Sequence, residues 1–153
     1  MAYLIGIDVG TSGTKTVLFD EAGHARASAT IEYPLHTPNP GWTEQDPEDW
    51  WQATVKSIQA VLGQSGIPAG EVRGLGLSGQ MHGSVFLDGK NQVVRPAILW
   101  NDGRALAECT ELERRVPASP TITGNRMMPG FTAPKLLWVA RHEPQVFERI
   151  AKV

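Results

Sequence analysis

Asp8-Val9-Gly10-Thr11-Ser12-Gly13-Thr14-Lys15 is the stretch of this 153-residue chain whose residue types most clearly serve chemistry. A carboxylate ends an apolar run, and a turn bounded by two glycines and dense in hydroxyls follows. Gly10 and Gly13 can take positive φ and let backbone N–H groups approach an anion closely. Thr11, Ser12 and Thr14 add hydroxyl donors, and Lys15 adds a cation. An acidic Asp8 beside an anion site makes sense if a divalent cation such as Mg2+ lies between them, bound through water. This is not a Walker A loop, which sets Gly-Lys-Ser/Thr at the opening of a helix; here a β-like run follows Lys15. The same composition also suits a plain hairpin turn, where Gly, Ser, Thr and Asp are the usual residues.

Three further segments gather polar and aromatic groups. In Gly79-Gln80-Met81-His82-Gly83, groups that donate and accept hydrogen bonds adjoin apolar surface, the mixture a sugar requires. A single His is equally at home as a packing or surface residue, and no second ligand stands at metal spacing from His82. Leu99-Trp100-Asn101-Asp102-Gly103-Arg104 offers an aromatic, an amide, a carboxylate and a guanidinium; Asp102 could instead cap the next helix, and Arg104 could be a surface charge. Thr123-Gly124-Asn125 and Met128-Pro129-Gly130-Phe131-Thr132-Ala133-Pro134-Lys135-Leu136-Leu137-Trp138 read as loop then helix, with Trp138 in the core. Gly74-Leu75-Gly76-Leu77-Ser78-Gly79 matches the dinucleotide pattern G-x-G-x-x-G. That fingerprint needs a helix opening at the loop, and residues 80–96 have no helical period.

The elements that must position these groups follow from periodicity and turn signals. Tyr3–Asp8, Thr16–Phe19 and His24–Tyr33 read as an antiparallel meander. A proline-rich loop then leads to a helix with Asp46 as cap, Pro47 in its first turn, and Glu48 and Asp49 complementing its dipole. Trp51, Val55, Ile58 and Leu62 mark its expected buried face, and Gly63 and Gly66 its end. Val72–Ser78 is a strand, and Ser84–Leu87 and Gln92–Val94 flank a turn as a hairpin. Ala97–Trp100 is a short apolar run. Gly103–Val116 is a helix with Leu106, Cys109, Leu112 and Val116 on one side. Residues 117–129 form a loop, and Ala133–His142 is a last helix capped by Thr132. That order is α/β with a mixed sheet.

Composition narrows the classes. Hydrophobic residues make up 41% and charged residues 20%, as in ordinary globular proteins. Fourteen basic against 16 acidic residues leave a net charge of -2, unlike a nucleic-acid-binding surface. No apolar run reaches the roughly 18 residues of a membrane span. The opening Met1-Ala2-Tyr3-Leu4-Ile5 lacks a charged leader region, so no signal peptide is expected. The lone Cys109 fits a reducing compartment and a small hydrophobe's role.

Ile7–Lys15 resembles the first phosphate motif of the actin, Hsp70 and sugar-kinase superfamily. The order and spacing of the four segments are similar to the amino-terminal domain of the FGGY carbohydrate kinases. Gln80–Gly83, Trp100–Arg104 and Met128–Phe131 look like the bacterial xylulokinases among them, and the loop Trp42–Pro47 also resembles the family. Glycerol kinases carry Arg-Glu where this chain has Met81-His82. The resemblance implies a ribonuclease H-like α/β fold, a mixed β-sheet flanked by helices. It implies ATP and Mg2+, with Asp8 placing the metal and the transferring phosphoryl group through water and Gly10, Thr11, Ser12 and Lys15 at the phosphates. It puts Met81 and His82 on a ketose, with Gln80, Trp100, Asn101 and Asp102 completing the sugar site.

The implied reaction is phosphorylation of the D-xylulose 5-hydroxyl in pentose catabolism. Residues 1–153 are then an incomplete amino-terminal domain, inactive alone, with the catalytic base Asp and a second domain expected beyond Val153. The lone Cys109 adds a cytoplasmic setting, charge and hydropathy add no nucleic-acid or membrane partner, and family habit adds a homodimer. The rivals are another kinase of the family, acting on ribulose, fuculose or gluconate, an isolated non-catalytic sugar-binding lobe, and a dinucleotide-binding module built on Gly74–Gly79.

Overall fold

The computed structural model describes residues 2–153; Met1, the first residue of the opening stretch, lies outside them. The chain forms two compact units. One comprises residues up to Leu35 and Glu48–Gln80, the other His36–Pro47 and Met81–Val153.

The first unit is a four-stranded sheet in the order β3-β2-β1-β5. Strands β1 (Tyr3–Val9), β2 (Gly13–Asp20) and β3 (Ala25–Glu32) are the antiparallel meander expected from the sequence. β5 (Val72–Gly79) runs parallel to β1. Alternation sends Tyr3, Ile5, Ile7 and Leu18 to one face, where they pack with Val61 of helix α1 (Pro47–Ser65). Full burial of each such aliphatic side chain stabilises by about 1.5–3 kcal/mol. The fully buried residues of α1 are Ala53, Ser57 and Val61; of the expected stripe, Ile58 packs partly buried against this core, whereas Trp51 is 61% exposed. Small residues let the helix approach the sheet, and the Ser57 hydroxyl meets that of Thr16 at 2.6 Å. The helix runs through Gly63 and stops at Gly66, whose φ of +66° returns its N–H to the Leu62 carbonyl. Gly74, Gly76 and Gly79 lie inside β5, so no helix opens at that glycine pattern.

The second unit pairs β4 (Glu44–Gln45) with β6 (Ala97–Ile98) and packs Phe86, Ile98, Ala105, Trp138 and Val139 as its core. Its helices are α2 (Leu106–Arg115), α3 (Ser119–Thr123), α4 (Thr132–His142) and α5 (Pro144–Phe147). Several expectations are corrected here. The hairpin around Asp88 reduces to a turn with an isolated Leu87–Val93 bridge. α2 starts at Leu106 and buries Glu108 and Cys109, whereas Leu106 and Val116 are exposed. The buried Glu108 carboxylate lies 3.4 Å from the Arg141 guanidinium, and this charge pairing offsets the cost of its burial; the His142 ring lies 3.6 Å away. The expected loop 117–129 contains α3. Thr132 is the first residue of α4 rather than its cap.

Candidate active site

The glycine loop crosses from β1 to β2 in the first unit. The Gly10 N–H donates to the Gly13 carbonyl at 3.0 Å. A Cβ on Gly13 would lie 2.8 Å from the Ile31 carbonyl oxygen, so the strand approach requires glycine there. Tyr33, which sequence reasoning passed over, clamps the loop. Its hydroxyl donates to the Gly10 carbonyl and its N–H donates to the Ser12 carbonyl. Burial pushes the Tyr33 phenol up, and the Asp8 charge adds to this against the opposing Thr14 contact, so it remains a donor at neutral pH. The Gln80 N–H donates to the Val9 carbonyl at 2.8 Å and closes the end of β5 onto β1.

Asp8 pairs with Lys15 across β1–β2 and with Ser78 across β1–β5. All three line a cavity of about 420 Å³. One exposed carboxylate and one hydroxyl are too few for a dedicated metal cage and could meet a hard cation only through water, while the ammonium beside them suits an anion. Among the described residues no group of three His, Cys, Asp or Glu could hold a metal. Thr14, counted among the loop's hydroxyl donors, is fully buried on the strand instead.

A second cavity, of about 470 Å³, belongs to the second unit. Met81, His82, Trp100, Asn101, Asp102, Gly103 and Met128–Phe131 line it, so three segments distant in sequence converge. Gln80 is not among them. Met81 and Trp100 stay 65% and 46% exposed, leaving apolar surface at the mouth. His82 has φ +58°, an uncommon value for a residue with a side chain, and its ring lies 4.8 Å from that of Phe131. The Asn101 side-chain carbonyl accepts from the Thr43 hydroxyl at 2.8 Å, a bond that leaves its NH2 donors to a ligand.

Asp102 is differently engaged. Its carboxylate accepts from the Thr43 N–H at 2.7 Å and from the Arg104 N–H at 2.9 Å, and it takes a two-pronged pair from the Arg104 guanidinium. Arg104 is no surface charge. Its guanidinium is buried 4.0 Å over the Trp42 ring and 5.0 Å from that of Trp138, and Glu44 approaches to 2.7 Å. Asp102 does not cap α2, whose cap position is Ala105.

Beneath the cavity lies Lys135, fully buried. Its ammonium donates to the His82 carbonyl at 2.7 Å and the Ile98 carbonyl at 3.1 Å. Burial lowers its pKa to about 8, Asp102 opposes the shift, and Arg104 reinforces it. Below pH 8 both folded and unfolded chains carry this charge, and the folded chain bears the full burial penalty. Between about 8 and the ordinary 10.5 the folded chain has shed a proton that the unfolded chain keeps, so stability gains with pH. Against a Lys135→Met variant, the parent's unfolding midpoint should therefore rise from pH 8 to pH 10; parallel pH curves would contradict this.

The profile of the N-terminal domain of the FGGY family of carbohydrate kinases matches residues 3–153. This chain belongs to that family. The Escherichia coli (strain K12) xylulose kinase is 56% identical over 149 residues, covering 97% of this chain and 30% of the relative. The Bacillus subtilis xylulose kinase is 44% identical over 152 residues, covering 99% of this chain and 30% of the relative. The crystal structure of a xyloylose kinase from Brucella ovis superposes with a TM-score of 0.93 at 47% identity, over 98% of this chain and 31% of that one. An FGGY chain of this kind is a carbohydrate kinase domain of the actin/Hsp70-like fold. It spans about 30% of the length of the curated relatives it matches.

Proposed function

We propose that this chain supplies the sugar pocket and phosphate loop of an enzyme that transfers the ATP γ-phosphoryl group to the 5-hydroxyl of D-xylulose. The observation that carries the reading is the convergence of Met81, His82, Trp100 and Asn101 on one cavity from separate segments. An aromatic and a thioether suit the C–H faces of a ketose, and imidazole and amide groups suit its hydroxyls. In the transfer the sugar oxygen forms a bond to the γ-phosphorus, the bond to the ADP oxygen breaks, and the hydroxyl proton passes to a carboxylate. The family resemblance assigns that carboxylate to an Asp later than Val153, in a second domain. Asp8 would hold Mg2+ through water, and the metal would neutralise charge on the phosphates; Gly10, Thr11, Ser12 and Lys15 would cradle them. Such chemistry is mostly positioning and charge stabilisation. A cytoplasmic homodimer without nucleic-acid or membrane partners belongs to the same reading.

An ATP-consumption assay on the full-length protein, with D-xylulose, ribulose, fuculose and gluconate, tests it. Turnover should be best on D-xylulose, and residues 1–153 alone should be inactive. Preference for another sugar would replace the substrate and keep the family. Absence of turnover with every sugar would leave a binding lobe as the remaining reading, and a response to NAD titration would favour the glycine pattern in β5.

A further inference from the structure

We propose that Lys135 is a positioning residue for the sugar cavity, its ammonium fastening the His82 turn and the end of β6 to α4 so that the pocket is assembled before sugar arrives. The inference rests on the proposed sugar site and names what holds it together.

Lys135 links the chain around all three segments that form the cavity: its ammonium bonds one of them and the strand that leads into the second, and its helix follows the third. Lys135 itself lies on α4, four residues after Phe131, whose ring contacts that of His82. Its two hydrogen bonds go to the carbonyls of His82 and Ile98. Ile98 ends β6, two residues before Trp100. Two of the three bonding directions of the ammonium are thus spent on backbone rather than on a carboxylate. The nearby carboxylate of Asp102 is committed to Arg104 and Thr43. A fully buried lysine is rare, because a buried ammonium loses its hydration. Charge-assisted bonds to two carbonyls return part of that loss.

The carbonyl it holds belongs to a residue in a strained conformation. His82 at φ +58° is not a glycine, and such backbone persists where surrounding structure over-determines it. Lys135 from one side and Phe131 from the other supply that determination. A flexible turn would have to order itself on each binding event, whereas a fastened one meets the sugar ready-formed.

The test uses the full-length protein. Lys135→Met should raise KM for D-xylulose about ten-fold, the size of one lost charge-assisted hydrogen bond, while KM for ATP moves less than about two-fold. Lys135→Gln, which keeps a donor, should recover part of the sugar KM. Equal changes in both KM values, or none in a folded variant, would overturn the proposal as a merely structural or idle lysine gives that result. Should neither variant fold, amide exchange in the unmodified protein decides. Without sugar, the N–H of the buried Ser84, which donates to the same Ile98 carbonyl at 2.9 Å, should be protected like α4; exchange there at open-loop rates would overturn preassembly. A parent enzyme that turns over no sugar would instead remove the underlying sugar-site reading, leaving the exchange result to stand on its own.

Discussion

Asp102→Ala is expected to lower the unfolding free energy by about 3 kcal/mol, seen as a fall of roughly 10 °C in Tm. The cost follows from what the carboxylate does. It receives two backbone N–H groups and two guanidinium N–H groups, and its side chain and that of Arg104 are both fully enclosed. Removing one partner of a buried pair costs about 3–5 kcal/mol, because a desolvated charge is left behind. The lower end applies here. Glu44 remains 2.7 Å from the guanidinium, and the Trp42 and Trp138 rings still face it. The same substitution distinguishes two roles for Asp102. If Asp102 were a sugar ligand, its loss would raise KM at nearly constant Tm, within about 0.5 kcal/mol. A scaffold residue loses stability first, and a double-mutant cycle with Arg104→Met should show strong coupling. An unchanged Tm with a raised sugar KM would return Asp102 to the ligand set.

The resemblance to a kinase domain was legible in the sequence, and so was the sheet that carries the glycine loop. Alternation in β1 to β3 and the turn residues between them are local signals, and they led to the right strands. The buried face of α1 was only partly legible: Ile58 does pack against the core, but counting apolar residues also favours the exposed Trp51. The sheet instead takes Ala53 and Ser57, whose small size matters only once Thr16 is known to lie opposite. The same limit hid Glu108, Arg104 and Lys135. Each is charged, so local patterning sends it to the surface, and each is buried by partners far along the chain: Arg141, Glu44 and His82. Tyr33 was missed for a related reason, since its link to Gly10 spans 23 residues. Charged side chains enter a core only in pairs or networks, and apart from the Asp102–Arg104 pair the partners here lie far along the chain. The candidate sugar site was legible only through the joint order of its segments. No one of them, read alone, separated a ligand-binding histidine from a packing one.

Gly130→Ala should damage the proposed sugar cavity more than any other single methyl group added to its lining. A Cβ on Gly130 would sit 2.1 Å from the Trp100 carbonyl oxygen and 3.2 Å from its carbonyl carbon. Both atoms are backbone, so no side chain can rotate away, and relief requires one of two lining segments to move by about 1 Å. Overpacking of this kind costs about 1–3 kcal/mol. The functional loss should be larger, since a 1 Å misplacement of positioning groups can lower rates about 10²-fold. The expected result in the full-length protein is therefore a fall of about that size in kcat/KM for D-xylulose, accompanied by a modest drop in Tm. Gly89→Ala is the matched control, because nothing lies within 4 Å of its Cβ position. It should leave both readings within about 0.5 kcal/mol of the parent. If Gly130→Ala matched that control in kcat/KM, the Trp100–Gly130 contact would not shape the substrate site, and the pocket formed by Trp100 and Met128–Phe131 would lose its claim to the sugar.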